Sequence, residues 1–302
     1  MTVAITGASG FLGSRLVQKL KTDGHELHVL GRKPVAGAKF WTWDAADSEP
    51  PAESLADADA VIHLAGEPVA QRWTTEVKNR LRTSRVDGTR HLVQALSTLS
   101  QRPRVLVSAS AIGIYGPRGD EILTESSTPG DGFLADLSRD WERESNLAES
   151  LGIRVAQIRI GMVLGTDGGA LAKMLPAFRA GVGGRLGSGR QWISWIHVED
   201  VVALILYAME NPAMHGPLNG TAPEPVRNTE FTKQLAGVLH RPAVIPMPEF
   251  ALRLLFGEMA GVILASQRVV PQATEASGFR FQFPMLRDAL INLLATRARQ
   301  RM

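Results

Sequence analysis

The chain has 302 residues, of which 44% are hydrophobic and 21% are charged, and its formal net charge is only +3. This composition is typical of a globular protein with a large core, and the small net charge argues against a nucleic-acid partner. Cysteine is absent, which excludes disulfides and thiolate metal sites and fits a reducing compartment.

Short runs rich in β-branched residues alternate with helical patterns over the first two-thirds of the chain. Strands are predicted at 2–6, 26–30, 39–43, 60–64, 104–108 and 154–160. Helices are predicted at 11–22, 74–99, 134–149 and 201–210. The strands lack a regular polar and apolar alternation, which is typical of parallel strands covered on both faces. These repeated units predict an α/β fold with a doubly wound parallel Rossmann sheet.

The amino-acid composition of the chain changes after Gly161. The glycine-rich stretch 161–191 predicts a mobile loop that forms one wall of a pocket. Helical patterns then begin near Asn228 and cover 249–266 and 283–299, which predicts a smaller, mainly helical C-terminal lobe. We therefore expect a Rossmann domain over 1–220, including the pocket loop 161–191, and a helical lobe over 221–302.

Three glycines follow the first predicted strand directly, in the sequence GASGFLG. A strand, a tight glycine turn and a helix N-terminus together form a pyrophosphate site, because a Cβ atom would obstruct the turn, the phosphate and the helix packing. The turn is therefore expected to bind a dinucleotide. The residues expected to contact it are Gly7, Ser9, Gly10, Phe11, Leu12 and Gly13.

The end of the second strand indicates which dinucleotide is bound. A site for NAD usually has an acidic residue here, whereas this chain has Arg32 and Lys33. Two cations suit the 2′-phosphate of NADP(H), and an arginine can hold a phosphate with two hydrogen bonds. The alternative is that both are ordinary solvated surface residues.

Two further stretches are expected at the same cleft. Asp44 follows the third strand and could accept a hydrogen bond from the adenine amine, or it could simply cap a turn. Leu64, Ala65 and Gly66 end the fourth strand, where small residues would let the backbone face the adenosine ribose. His63, just before them, is interpreted as a hydrogen-bonded core residue.

Several motifs together resemble a known superfamily. GASGFLG, HLAG, SASAIGIYG and WIHVEDV are similar to motifs of the extended short-chain dehydrogenases/reductases, the nucleoside-diphosphate-sugar epimerase and dehydratase group. AGEPVAQRW, GGALAKMLPAF and NGTAPEPVRN resemble an atypical branch named "epimerase family", which also carries an older SulA-like cell-division-inhibitor label. The resemblance covers essentially the whole chain and implies that it binds NADP(H), with no substrate assigned.

The catalytic residues of that superfamily are incomplete here. The superfamily uses a tyrosine, a lysine four residues later and a serine or threonine that donates to the substrate oxygen. The chain's two tyrosines, Tyr115 and Tyr207, are followed four residues later by Gly119 and Asn211. The resemblance implies Ser110 as the hydroxyl donor. Tyr115 is an alternative acid, although no cation is adjacent to it in sequence, and it could equally be a packed residue.

Other polar residues are weaker candidates. Arg139 could hold a ribose or phosphate, or lie on a solvated helix face, but its high pKa excludes acid–base work near neutral pH. His197 is interpreted as part of a helix start. An aromatic and cationic wall for a flat or anionic ligand could be formed by Trp73, Trp141, Trp192, Trp195, Arg72 and Arg190, which could also be ordinary packing residues. No pattern of metal ligands is present, so no metal is expected.

Two functions remain open from the sequence. The first is an NADP(H)-dependent oxidoreductase or epimerase that acts on an unidentified small carbonyl, alcohol or sugar-like compound. The alternative is an NADP(H)-binding regulatory or interaction protein without turnover. The start MTVAITGASG has no signal-peptide pattern and the apolar segment 250–265 is too short to span a membrane, so a cytoplasmic protein is expected. A homodimer is expected only from the resemblance.

Overall fold

The computed structural model describes the backbone of residues 1–299 and the side chains of residues 1–295. Thirteen strands occur in this part of the chain, several of them only two residues long. They are β1 (Thr2–Thr6), β2 (Glu26–Gly31), β3 (Lys39–Thr42), β4 (Ala60–His63), β5 (Val105–Ala111), β6 (Ile122–Leu123), β7 (Arg154–Ile160), β8 (Met162–Leu164), β9 (Trp192–Ile193), β10 (Trp195–His197), β11 (Gly216–Gly220), β12 (Val226–Arg227) and β13 (Arg268–Val269).

Eleven α-helices are present within residues 1–299. They are α1 (Phe11–Thr22), α2 (Thr75–Arg82), α3 (Gly88–Ser97), α4 (Phe133–Asn146), α5 (Gly169–Arg179), α6 (Val198–Glu210), α7 (Asn228–Leu239), α8 (Glu249–Phe256), α9 (Ala260–Leu264), α10 (Gln272–Ala276) and α11 (Leu286–Arg299). None of the described helices combines the length and the apolarity that crossing a bilayer requires.

Seven strands form one parallel sheet in the order β11-β7-β5-β4-β1-β2-β3. The chain builds outwards from β1 to β3, then returns to the other side of β1 and continues from β4 to β11. The switch point therefore lies between β1 and β4, where Thr6 pairs with His63. In such sheets ligands bind at this crevice, beyond the carboxyl ends of the strands. The predicted doubly wound Rossmann fold is confirmed.

The sheet is covered on both faces by apolar helices. Val3 and Ile5 of β1 pack against α1 and α6, whereas Ala4 faces the other side, where α3 contributes Leu92 and Leu96. All of these side chains are buried. This two-sided burial explains why the strands are apolar without alternation.

The helix expected over 74–99 has an interruption. A π-helical segment, Thr83–Asp87, joins α2 to α3. Gly88 follows it, and a Cβ atom at that position would lie 2.7 Å from the Cβ of Ala45. The chain therefore approaches the loop that follows β3 more closely here than a larger residue would allow. π-Helical turns often lie at functional sites.

The C-terminal helices pack on a second core. Phe231 and Leu235 of α7 meet Leu290 of α11 and Leu175 of α5 in one buried cluster. The lobe is also tied to the sheet through Asp200 of α6, whose carboxylate accepts hydrogen bonds from the backbone N–H groups of residues 282 and 283 at 2.8 and 3.0 Å.

Candidate functional site

The glycine turn lies between the end of β1 and the start of α1. Gly7 has a φ of +71°, which favours glycine, and a Cβ atom there would be 2.8 Å from the backbone of Leu64. A Cβ atom at Gly13 would be 2.8 Å from the carbonyl carbon of Gly7 and closer still to its oxygen. Ser9 and Gly10 are exposed at the tip of the turn. The first-turn amides of α1 therefore lie at an exposed helix N-terminus, which is the kind of site that binds an anion.

Phe11 is held from the opposite side by the pocket loop 161–191. Cβ atoms at Gly165 and Gly168 would each clash with carbon atoms of its ring. Gly169 has a φ of +74°, which again favours glycine. Close packing on Phe11 explains why these positions are glycine. The ring of Phe11 is half-buried in this packing.

A chain of side-chain hydrogen bonds braces the end of β4. The Oγ1 atom of Thr6 accepts from the backbone N–H groups of Leu64 and Ala65, each at 3.1 Å. Its own proton therefore goes to Nδ1 of His63, 2.8 Å away, and Nε2 of His63 donates to Oγ1 of Thr89 at 3.0 Å. Burial lowers the pKa of His63 to about 4. His63 is thus a neutral brace for the strand end, as its core interpretation anticipated.

The predicted selectivity residues lie at the ends of β2 and β3. Arg32 and Lys33 are exposed, and neither forms an ion pair with any residue of the described chain. Asp44 is half-buried, and its Oδ1 accepts from the backbone N–H of Ala46 at 3.1 Å. This contact corresponds to the turn cap that the sequence left open, and it leaves the second carboxylate oxygen for another donor.

Ser110 lies near the carboxyl end of β5 but is buried. Its Oγ donates to Oε1 of Glu142 at 2.6 Å. Glu142, on α4, is held in turn by a two-pronged ion pair with Arg159 on β7, with two N–O distances of 2.8 Å. Because a serine hydroxyl has one proton, Ser110 in this geometry can accept a hydrogen bond but has none left to donate. The expected role as a donor to a substrate oxygen therefore does not match this arrangement.

Tyr115 is fully buried, and both of its hydrogen-bonding functions are used. Its hydroxyl donates to Oδ1 of Asn219 at 2.7 Å and accepts from Nη1 of Arg159 at 2.9 Å. Burial raises the pKa of Tyr115, and this effect exceeds the opposing influence of Arg159. These contacts contradict our suggestion that Tyr115 is an alternative acid in the cleft. The cation that is absent next to it in sequence is supplied from β7.

Three residues of this network were missed in the sequence. Glu142 lies within the polar pattern DLSRDWERE, Arg159 lies between two isoleucines in the strand RVAQIRI, and Asn219 is the one polar side chain of GPLNG. A charged or amide residue in an otherwise apolar central strand is a usable signal, because it must find a partner when buried. Which partner it finds depends on the tertiary structure.

The other candidates are placed away from a common pocket. Arg139 is exposed and pairs with Asp136 at 2.9 Å, in agreement with a solvated helix face. Nδ1 of His197 accepts from the backbone N–H of Glu199 at 3.0 Å and so caps the start of α6. Burial lowers the pKa of His197 to about 4.

The predicted aromatic and cationic wall does not form as one surface. Trp195 is fully buried and Trp73 and Trp141 nearly so. Arg72 donates to the backbone carbonyl of Leu254 at 3.1 Å. Only Trp192 of the four tryptophans lies near the surface, and the cations over its ring are those of two unpredicted residues, Arg227 and Arg268.

Comparison with known proteins gives a consistent result. The model of the NAD dependent epimerase/dehydratase family matches residues 3–219, and a Domain of unknown function (DUF1731) matches residues 247–293. The epimerase family protein SDR39U1 homolog of Arabidopsis thaliana, described as chloroplastic, is 45% identical over 298 residues, which is 96% of this chain and 86% of that protein. The epimerase family protein YfhF of Bacillus subtilis is 39% identical over 98% of this chain and 99% of its own length.

A solved structure extends this similarity to the whole fold. The human epimerase family protein SDR39U1, crystallised with NADPH, superposes with a TM-score of 0.88 at 34% identity, over 98% of this chain and 99% of that one. An extended Rossmann protein with a glycine turn and no tyrosine–lysine pair is thus the class that fold and site define. The chain belongs to the NAD dependent epimerase/dehydratase family.

Proposed function

We propose that this protein binds NADP(H) and transfers hydride between that cofactor and a small alcohol or carbonyl compound, as an oxidoreductase or an epimerase. The observation that carries the cofactor assignment is the glycine turn with exposed Arg32 and Lys33 beside it, both without ion pairs among the described residues. The human relative crystallised with NADPH supports the same cofactor.

The cofactor fits the residues present. Gly7, Gly10 and Gly13 let the turn pack closely on Leu64 and on its own backbone, and the N-terminus of α1 would favour the negative charge of a pyrophosphate at this turn. Arg32 and Lys33 would hold the 2′-phosphate. The Thr6 brace sets the backbone of Leu64 and Ala65, where the ribose would lie.

Ser110 and Glu142 offer one way of moving a proton. NADP(H), when bound, supplies or accepts the hydride. A substrate hydroxyl can donate to Oγ of Ser110, whose own proton already points to Glu142 at 2.6 Å. Glu142, which is paired with Arg159, lies where that proton would go when the substrate proton moves to Ser110. This arrangement suits an alcohol, which brings its own donor, better than a carbonyl, which needs one.

Cofactor selectivity is tested by charge reversal. In Arg32→Asp the dissociation constant for NADPH should rise about tenfold or more, because a phosphate contact is lost and replaced by repulsion, while NADH binding should change little. Arg241→Asp, which reverses an exposed arginine after α7, is the matched control and should leave both constants unchanged. Equal weakening of NADPH and NADH by Arg32→Asp would refute the 2′-phosphate contact.

Hydride transfer is tested by single-turnover experiments with NADP⁺ and a panel of alcohols, and with NADPH and the matching carbonyl compounds. We expect stoichiometric conversion of the bound nucleotide with at least one alcohol, and a rate at least about 100-fold lower in Ser110→Ala. Tight NADPH binding with no conversion on either panel would instead favour the second candidate, a binding protein without turnover. The observation in favour of this second candidate is that the hydroxyl groups of Ser110 and Tyr115 already donate their protons to Glu142 and Asn219.

We further propose that the protein works as a homodimer in the cytoplasm. The dimer is suggested by resemblance, since α3 and α4 correspond to helices that pair in many dimers of the superfamily. Light scattering should give about twice the chain mass of 32.7 kDa, and a monomer at micromolar concentration would contradict the proposal.

A further inference from the structure

Arg85 is a part-buried arginine in the π-helical segment Thr83–Asp87. Its guanidinium lies face-on against Gly66: a Cβ atom at Gly66 would be 3.1, 3.2 and 3.3 Å from Cζ, Nη2 and Nη1 of Arg85. Three nearly equal distances mean that the flat face meets the glycine, so the N–H groups point sideways in the plane. Gly66 itself is exposed, at the end of the strand that borders the switch point.

The charge of Arg85 is not neutralised. No carboxylate of residues 1–295 forms an ion pair with it, and its one hydrogen bond is a long contact of 3.4 Å to the carbonyl of Leu81. The nearest acid, Glu67, pairs with Arg80 and accepts a hydrogen bond from Gln71. Burial lowers the pKa of Arg85 to about 10, with only a small opposing effect of Glu67. A guanidinium with unused donors is costly to bury and calls for an anion.

A second donor without an acceptor lies beside it. The guanidinium carbon of Arg85 stands 5.2 Å from the ring centroid of Trp141 on α4. The indole Nε1 of Trp141 is buried and has no acceptor among the described residues. Buried indole N–H groups normally have partners. Arg85 and Trp141, both with donors that lack acceptors among the described residues, thus lie side by side.

The proposed binding sites for the anionic groups of the cofactor lie away from Arg85. The proposed pyrophosphate site is at α1, which packs on the face of the sheet opposite to α3. Arg85 directly precedes α3 in the chain and reaches Gly66 from that second face. The proposed 2′-phosphate site, at Arg32, lies beyond β2 on the far side of β1. The side of the cleft next to Arg85 is shared with α4, which carries the Ser110 partner Glu142.

We infer that Arg85, with Trp141 beside it, binds an anionic group of the substrate, so that the substrate class is a small carboxylate or phosphate ester bearing the reacting alcohol or carbonyl. This rests on the proposed function, because it places the substrate in the same cleft as NADP(H). The guanidinium edge can donate two parallel hydrogen bonds to an anion with two oxygens.

The test uses the full chain saturated with NADPH and two pairs of probes, oxamate with oxamide and benzoate with benzamide. Each pair matches shape and differs in charge. Calorimetric titration should show saturable binding of at least one anion and none of its amide. In Arg85→Gln the dissociation constant of that anion should rise about tenfold or more, while the constant for NADPH changes less than threefold.

Two variants separate recognition from folding. Arg82→Gln removes an exposed arginine three residues earlier, which pairs with Asp140, and should leave anion binding unchanged. Arg85→Lys keeps the positive charge but loses the two parallel N–H donors of the guanidinium, and it should bind the anion with intermediate affinity. Thermal midpoints of the NADPH complexes establish that each variant is folded.

The outcomes distinguish this inference from the proposed function. Failure of the native chain to bind NADPH would refute the proposed function itself. Normal NADPH binding with no anion bound, or equal anion binding by Arg85→Gln, would refute the role of Arg85. A loss of NADPH affinity of tenfold or more in Arg85→Gln would assign the guanidinium to the cofactor and would also overturn the inference.

Discussion

The two halves of the cleft are built in different ways. On the cofactor side, the turn from Gly7 to Gly13 works through backbone atoms that are at most six residues apart. On the side of Ser110, side chains from distant parts of the chain meet: Ser110 with Glu142 across 32 residues, and Tyr115 with Asn219 across 104. The first half can be recognised in a linear pattern, whereas the second exists only after the sheet has formed.

The difference also concerns energy. The glycine turn has no buried charge, and its requirement is the absence of side-chain atoms. The other half contains a buried ion pair, Arg159 with Glu142, in which each partner is needed to compensate the other. Burial opposes the charge on Arg159, but Glu142 and Tyr115 outweigh it and raise its pKa. The two halves should therefore respond differently to substitution.

The largest expected effect is at the ion pair. Arg159→Met should lower the free energy of unfolding by about 3–5 kcal/mol, because it leaves the carboxylate of Glu142 buried without its counter-charge. Urea unfolding of the native and variant chains measures this. The double variant Arg159→Met with Glu142→Leu should recover most of the loss, and a double variant as unstable as the single one would argue against a charge effect.

A smaller loss is expected at the glycine turn. Gly13→Ala should lower the free energy of unfolding by about 1–3 kcal/mol through overpacking against the Gly7 carbonyl, and should weaken NADPH binding at least tenfold. Gly237→Ala in α7 is the control, since nothing lies within 4 Å of its Cβ position, and it should stabilise the chain by about 0.5–1 kcal/mol. Unchanged NADPH affinity in Gly13→Ala would contradict the assignment of the turn.

The pH dependence of the free energy of unfolding tests the role of the buried, neutral His63. Folding lowers the pKa of His63 and of His197 from 6.5 to about 4, so between these values the unfolded chain binds more protons. Their contribution is complete above pH 6.5 and is lost as the pH falls towards 4, by up to about 1.4 kcal/mol per pH unit for each. Urea unfolding at pH 7 and pH 5 should show the decrease, and His63→Asn should reduce its slope. An identical slope in His63→Asn would disprove the role of His63.

The smallest effect is expected at Tyr115. Tyr115→Phe removes one hydroxyl from the network and should cost about 1 kcal/mol of stability, as measured by urea unfolding. Single-turnover rates should stay within about twofold of native, because the hydroxyl faces Arg159 and Asn219 rather than the cleft. A rate lowered about 100-fold would show that Tyr115 is the acid after all.

Much of the fold could be predicted from the sequence, but less of the candidate functional site could. The strand and helix pattern predicted the sheet, and GASGFLG predicted the turn, because both depend on neighbours in the chain. The packing of Gly165 and Gly168 on Phe11 was not predicted, since these contacts span more than 150 positions. The sequence did not single out Arg85, because its proposed role depends on the lack of acceptors around it in the folded chain.

By itself, the sequence determined a parallel Rossmann sheet, a dinucleotide turn and the absence of a tyrosine–lysine pair. These features are local, or they are absences that can be counted. Only the tertiary structure decided that Ser110 donates its proton to Glu142 and that Tyr115 is buried. It also decided that Arg85 lies beside Gly66 without a carboxylate partner among the described residues. The physical reason is that hydrogen bonds and desolvation depend on which distant side chains share a space, and the packing of the helices on the sheet settles that.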